Sequence, residues 1–88
     1  MLILGRRPGE SIHVGDDVIR VNNVHGDTVM LTVSRMGLEP EHVNVRLEDG
    51  HTISDVSSFR VLRVQNKQVR IGITAPSDMK ILRDELLP

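Results

Sequence analysis

The stretch Val69–Leu86, VRIGITAPSDMKILRDEL, decides which fold this sequence can adopt. In its first half Val69, Ile71 and Ile73 alternate with polar or small residues, which is the two-residue period of a half-buried β-strand. Ala75-Pro76 ends that strand, because proline has no N–H for the ladder and disfavours helix at the residue before it. The sequence therefore predicts a strand that stops at a fixed point.

The part of this stretch that follows the proline fits two structures. A strand would alternate Met79, Ile81 and Arg83. A helix capped by Ser77 would instead place Met79, Leu82 and Leu86 on one face. Periodicity alone slightly favours the helix.

Alternating apolar residues and turn residues predict β structure in the rest of the chain. The predicted strands are Met1–Arg7, Ser11–Val14, Val18–Val24, Thr28–Val33, Val43–Leu47, His51–Ser54, Phe59–Val64 and Gln68–Ile73. The last six would form three hairpins, the middle one with Asp49-Gly50 at its tip.

Two of these hairpins resemble each other in sequence. Shifted by forty positions, Ile19–Ser34 lies over Phe59–Thr74 and matches, among others, Val29 with Val69. A partial internal duplication explains the match, and so do independent strands with similar patterning.

Composition limits the classes of protein to which the chain can belong. Its 88 residues predict one domain, and a formal net charge of −1 with no cysteine excludes a strongly basic protein, a disulfide framework and zinc–thiolate chemistry. The N-terminal apolar run, Met1–Leu4, is far shorter than a signal peptide or a membrane span, so we expect a cytoplasmic protein with no membrane partner.

The chain has one aromatic residue, Phe59. Its core must therefore consist of Val, Ile, Leu and Met, and a small aliphatic domain often gains stability by sharing its core with a second subunit. RNA binding by stacking of bases on aromatic side chains is excluded, so an RNA site would use arginine and backbone groups.

No group of residues predicts catalysis or metal binding. His13, His25, His42 and His51 lack the spacing of metal ligands, and the acidic pairs have no base or nucleophile beside them. We expect no enzyme activity, no cofactor, no metal ion and no small-molecule substrate.

Both ends of the chain resemble the carbon storage regulator family (CsrA/RsmA), small bacterial regulators that bind messenger RNA. The matching segments are Met1-Leu2-Ile3-Leu4, Arg6-Arg7, Gly9-Glu10, Gly15-Asp16, Val69-Arg70-Ile71-Gly72-Ile73, Ala75-Pro76 and Ile81-x-Arg83-x-Glu85. They cover roughly half of the chain in the order that the family shows, which is more specific than any single short motif.

The resemblance implies an all-β fold, a small intertwined homodimer of antiparallel strands, in which the segment after Ala75-Pro76 is a strand. Residues 1–88 would form a single domain, longer than the compact family pattern by about forty residues that we place at about 19–58 and interpret as extra β-hairpins. The family's C-terminal helix has no counterpart, because the chain ends at Pro88 just after the last predicted strand.

The resemblance also implies an RNA site made by the first strand of one subunit and the last strand of the other. The candidate RNA-binding residues are Leu4, Arg6, Arg7, Ile73, Thr74, Ala75, Pro76, Leu82 and Arg83. Guanidinium groups suit phosphate oxygens and the guanine edge, although an isolated Arg-Arg pair is more often a solvated strand end and Arg83 could instead pair with a neighbouring carboxylate. Gly5 replaces the family's small hydroxyl residue, and Leu82 replaces a common histidine.

The function implied is post-transcriptional regulation. The protein would bind GGA-containing sites, single-stranded or in stem-loops, in messenger RNA leaders and block ribosome access, with small regulatory RNA as a further candidate partner. The alternative is a diverged paralogue that acts through protein contact, for example in a mixed dimer, with weak or no RNA binding of its own.

Overall fold

The structure is a computed structural model that describes residues 1–83, all of whose regular elements are β-strands. The strands are β1 Leu2–Arg6, β2 Ser11–Val14, β3 Asp17–His25, β4 Thr28–Ser34, β5 Glu41–Arg46, β6 Gly50–Thr52, β7 Ser58–Gln65, β8 Gln68–Thr74 and β9 Ile81–Arg83. Within residues 1–83 there is no helix with the length and apolar character needed to cross a membrane.

The strands form two antiparallel sheets. A four-stranded sheet has the order β1-β8-β7-β6, and a five-stranded sheet has the order β5-β4-β3-β2-β9. The predicted all-β fold is confirmed, as are the hairpins β3–β4 and β7–β8.

The hairpin predicted around Asp49-Gly50 is wrong. Strand β5 pairs with β4 in one sheet, and β6 pairs with β7 in the other, so the chain crosses between sheets at this turn. The crossing is fixed by backbone hydrogen bonds to each side: Leu47 N donates to Asp27 O at 2.8 Å, and Glu48 N donates to Val61 O at 2.7 Å. Local turn chemistry resembled that of a hairpin, but these longer-range bonds direct the two strands apart.

One apolar core receives the inward residues of both sheets. Its fully buried side chains are alternate residues of β2–β4, β7 and β8, such as Ile19, Leu31 and Ile71, together with Ile53 just after β6. Phe59 lies among them. The core is aliphatic apart from Phe59, as composition predicts.

The segment after Pro76 forms strand β9, which pairs with β2. The strand implied by the family resemblance is therefore confirmed, and the helix that periodicity slightly favoured is wrong for these residues. Met79 and Ile81 pack against the core. Glu85 and Leu86, which entered the sequence arguments, lie outside the described residues.

The two long hairpins repeat each other pair by pair. In β3–β4 Ile19 faces Val33, and in β7–β8 Phe59 faces Ile73, each number being forty higher. Every other pair corresponds in the same way, and the bulge at Asn22 recurs at Leu62.

The outer strands and turns of the two halves repeat as well. Strand β5 lies against β4 as β1 lies against β8, and β6 pairs with β7 as β2 pairs with β3. Gly9 N donates to Val21 O at 2.8 Å, as Glu48 N donates to Val61 O, with positive φ angles of 91° and 75° at Gly9 and Glu48. These repeats favour the internal duplication over independent strands, while the single domain with an insertion at about 19–58 stays a prediction.

Candidate nucleic-acid interface

The first and last described strands lie on the same side of the molecule. Strand β1 is an edge of the four-stranded sheet, and the turn at residues 7–10 connects it to β2, which pairs with the edge strand β9 of the five-stranded sheet. Arg6 Nη1 donates to Ser11 O at 3.4 Å, and the next residue, Ile12, pairs with Arg83. We call this surface the β1/β9 edge and define it by Leu4, Arg7, Leu82 and Arg83.

The β1/β9 edge is made within one chain. The family resemblance implied that the two strands come from different subunits, but here β1 pairs with β8 and β9 pairs with β2 of the same polypeptide. The homodimer itself stays a prediction.

Arg6 is a buried residue, with 4% of its surface exposed. Alternation along β1 places it on the inward side with Leu2 and Leu4, where Nε donates to Gly5 O at 2.6 Å and lies 3.9 Å from Glu10 Oε1. Its charge is therefore held inside the turn between β1 and β2 rather than presented to solvent.

Arg7, by contrast, is exposed just beyond the end of β1. Its backbone N–H donates to Glu10 Oε1 at 2.7 Å, which closes the turn and fixes where its side chain leaves the backbone. Leu4, Leu82 and Arg83 are partly buried. Leu4 packs against the core, whereas Leu82 lies opposite His13 on β2. The edge thus offers two leucines and two guanidinium groups on neighbouring strands of the two sheets.

The residues at 73–76 lie toward the other end of the β1/β9 edge. Ile73 is buried, and it pairs with Leu2 on one side and Phe59 on the other, so its backbone is committed to the sheet. Thr74 and Pro76 are exposed, and Ala75 is partly buried. Since β1 rises about 3.4 Å per residue, they lie about 14 Å along the strand from the arginine end.

Positive charge collects on the outer side of the four-stranded sheet. Arg60 and Arg63 of β7 and Arg70 of β8 are exposed there, with Arg63 directly opposite Arg70. Among the described strand residues of this side there is no aspartate or glutamate. We call these three residues the arginine face; Arg70 also lies opposite Gly5 of β1, which makes the face continuous with the β1/β9 edge.

Sequence reasoning missed the arginine face. Arg60 and Arg63 gave no motif, and only the pairing of β7 with β8 aligns them with Arg70. The available signal was charge distribution, because no acidic residue occurs between Asp55 and Asp78.

The corresponding outer side of the five-stranded sheet has fewer arginines, since only Arg20 and Arg46 are exposed there among its described strand residues. The forty-residue shift places Arg20 where the other sheet has Arg60, but Asn23 where it has Arg63 and Met30 where it has Arg70. The two halves therefore repeat in strand pairing but not in the charge of their outer faces.

A different arrangement occupies the edge formed by β5 and β6. The described residues provide no strand beside β6 to match β9 beside β2. Arg35, from the end of β4, instead donates from Nη2 to Thr52 O at 3.1 Å and from Nε to Ile53 O at 2.6 Å.

Glu41 of β5 completes this cluster. Its Oε1 accepts a hydrogen bond from Arg35 Nη1 at 2.9 Å and lies 3.4 Å from His51 Nε2. The hydrogen bond from Arg35, and after it that from His51, holds the pKa of the Glu41 carboxyl below its usual value of 4.5. The β5/β6 edge is therefore closed by an ion pair that includes an acidic group.

Among residues 1–83, no three His, Cys, Asp or Glu side chains are grouped so that they could hold a metal ion.

Comparison with known proteins gives matches over both halves of the chain. The family model CsrA, described as a global regulator protein family, matches residues 1–46 and separately residues 47–88. A translational regulator CsrA from Solidesulfovibrio magneticus is 31% identical over 86 residues, which covers 98% of this chain and 60% of the relative. One from Syntrophomonas wolfei is 47% identical over 47 residues, covering 51% of this chain and 55% of the relative.

The translational regulator CsrA from Oleidesulfovibrio alaskensis is also 31% identical, again with 98% of this chain and 60% of the relative covered. The chain thus spans about 60% of the length of these first relatives. No solved structure matches it.

Proposed function

The chain belongs to the CsrA family of global regulators, and we propose that it regulates translation by binding single-stranded or loop-presented RNA. The proposed targets are GGA-containing sites in messenger RNA leaders, where occupancy would block ribosome access. Small regulatory RNA carrying the same sequence would compete for the protein. The names of the matched relatives, translational regulators, support this direction.

The observation that carries the proposal is the segregation of positive charge beside the β1/β9 edge. The whole chain has a formal charge of −1, yet Arg7 and the arginine face are exposed on adjoining surfaces. Like charges directly opposite on neighbouring strands, as at Arg63 and Arg70, destabilise a sheet unless an anion compensates them. A phosphate backbone would supply that anion.

Within the proposal the residues have separate roles. Arg7 and Arg83 contact phosphate or a guanine edge, and Leu4 and Leu82 each give apolar contact to a base. Backbone groups at Thr74 and Ala75 offer hydrogen bonds to the bases, which suits a protein with no aromatic platform. Pro76, whose carbonyl accepts from Met79 N at 3.0 Å, offers apolar contact instead. Ile73, whose backbone is already paired, and Arg6, whose guanidinium is buried, position the site.

The direct experiment is a titration of the purified chain against a short RNA stem-loop that presents GGA, with the same stem-loop carrying CCA as its control. We expect binding of GGA and clearly weaker binding of CCA. Arg83→Ala should weaken GGA binding by about 1 kcal/mol or more, roughly fivefold, on the scale of a lost charge-assisted contact. Equal affinity for the two RNAs, or no effect of Arg83→Ala, would contradict the assigned site.

Salt dependence tests the arginine face. Each phosphate contacted on a single strand contributes about −0.7 to the slope of log K, the logarithm of the RNA-binding constant, against log salt concentration. The double variant Arg60→Gln, Arg63→Gln should therefore have a slope that is less steep by up to about 1.4. Arg20→Gln is the matched control, because Arg20 holds the place of Arg60 on the other sheet. If Arg20→Gln changes the slope as much as the double variant does, the arginine face is not the site of phosphate contact.

The alternative of a regulator that acts through protein contact has one supporting feature. Met36 and Leu38, in the loop between β4 and β5, are 73% and 65% exposed. Failure of the purified chain to bind any GGA stem-loop, with binding restored by a second protein, would favour this alternative.

A further inference from the structure

Resting on the proposed function, we infer that one chain by itself completes the two-sheet assembly and offers a single RNA-binding edge. The chain would therefore act as a monomer that binds one RNA element. The inference concerns the number of sites, which the proposed function leaves open.

The first step is that both strands of the β1/β9 edge are already paired. Strand β1 is hydrogen-bonded along its length to β8, and β9 to β2, all within one polypeptide. A second copy is not needed to bring Arg7 and Arg83 to the same side. The two halves, joined between β4 and β5, thus supply to each other the strands that an intertwined pair would exchange.

The second step is that the repeat provides a second edge of the same geometry. Strand β5 lies in the place of β1, and β6 in the place of β2. Arg46 of β5 corresponds to Arg7, because Val45 and Arg6 face the equivalent residues Val29 and Val69. The counterparts of β1, β2 and Arg7 are therefore all present at this second edge.

The third step is that this second edge lacks the features on which the first one depends. Val45 stands where β1 has Arg6, and the described residues place no strand in the position of β9, so nothing corresponds to Arg83. Arg35 covers the backbone of β6 instead, and Glu41 brings a carboxylate to the edge. Because Glu41 neutralises Arg35, this guanidinium adds little attraction for a phosphate chain. The carbonyls of Thr52 and Ile53, which Arg35 already occupies, are also less able to accept hydrogen bonds from bases.

The outer faces of the two sheets also indicate that the β1/β9 edge is the better RNA site. The face adjoining β1 carries Arg63 opposite Arg70, whereas the face adjoining β5 carries Asn23 opposite Met30 at the equivalent pair. Phosphate attraction is therefore stronger on the face that adjoins β1, where two arginines face each other.

The experiment combines native mass spectrometry with a matched pair of variants. The chain is measured alone and with an excess of the GGA stem-loop, and Arg7→Ala and Arg46→Ala are titrated in parallel. We expect a mass of 9.9 kDa for the free chain and one RNA per chain in the complex. Arg7→Ala should weaken binding about fivefold or more, and Arg46→Ala less than about twofold, because only Arg7 would meet phosphate.

Several outcomes would overturn the inference: a dimer of the free chain, two RNAs per chain, or equal losses in the two variants. If the wild-type chain binds no RNA, the proposed function fails. In that case a monomeric mass would still support the self-contained assembly, and a dimeric mass would overturn it. The failures of the two ideas are thus distinguishable.

Discussion

Replacing Arg6 and Arg7 separately should affect two different properties, although the residues are neighbours. Arg6 is buried and donates hydrogen bonds to Gly5 O and Ser11 O, so Arg6→Ala removes charge-assisted bonds together with the packed aliphatic stem. Hydrogen bonds to charged groups contribute about 1.5–3 kcal/mol, and because the bond to Ser11 is long and that to Gly5 is local, we count one such contribution. Adding about 1 kcal/mol for the stem, we expect a loss of about 2.5–4 kcal/mol in the free energy of unfolding.

That loss would be a large part of the stability of a small domain, which is about 5–15 kcal/mol. It can be measured by urea unfolding followed by far-ultraviolet circular dichroism, since the chain has no tryptophan or tyrosine for fluorescence. Arg7→Ala is the matched control: its side chain is exposed, so stability should change by less than about 0.5 kcal/mol while RNA affinity falls. An Arg6→Ala variant as stable as the wild type, with an unchanged dependence on urea, would refute the reasoning.

Three further predictions concern stability. Asn66 and Lys67, in the two-residue turn between β7 and β8, both have positive φ angles, 52° and 61°. Lys67→Gly should therefore relieve strain and raise the free energy of unfolding by about 0.5–1 kcal/mol, whereas Lys67→Ala should not. A melting temperature that does not rise in the glycine variant would contradict this. Ile71→Ala should cost about 2–5 kcal/mol in urea unfolding because Ile71 is fully buried, and Ile3→Ala, on the exposed side of β1, should cost less than about 0.5 kcal/mol. The pKa of Glu41 is lowered by Arg35 and His51, so its stabilising effect is present above pH 4.5 and is lost as the pH falls through the lowered pKa. The difference in melting temperature between wild type and Glu41→Gln should shrink over that range, and a constant difference would exclude the effect.

The strands could be predicted from sequence, and so could the hairpins β3–β4 and β7–β8, because alternation and turn residues act over a few positions. Which sheet a strand joins could not, as the turn at Asp49-Gly50 shows: its residues are typical of a hairpin, while the bond from Glu48 N to Val61 O directs the chain into the other sheet. The repeat of this turn could not be recognised from sequence either, because Glu48 has the positive φ angle that Gly9 has at the equivalent position of the first half.

For the candidate site, alternation along β1 placed Arg6 with Leu2 and Leu4, but the sequence does not say which side of the strand faces the core. The burial of Arg6 and the exposure of Arg7 follow from the pairing of β1 with β8, a contact between distant parts of the chain. The alignment of Arg63 with Arg70 likewise requires the bulge at Leu62, which no local pattern indicates.

The pairing of β1 and β9 also bears on how the chain folds. Leu2 and Ile73, like Ile12 and Arg83, are 71 positions apart, whereas the hairpins β3–β4 and β7–β8 close over short loops. Because long loops must be ordered before such contacts form, the two hairpins should assemble first, and the terminal strands should dock last. Among residues 1–83, β1 and β9 are each paired along one side only, so they should also be among the first strands to detach in local opening. A ligand that bridges them would then slow amide exchange at both ends of the polypeptide together.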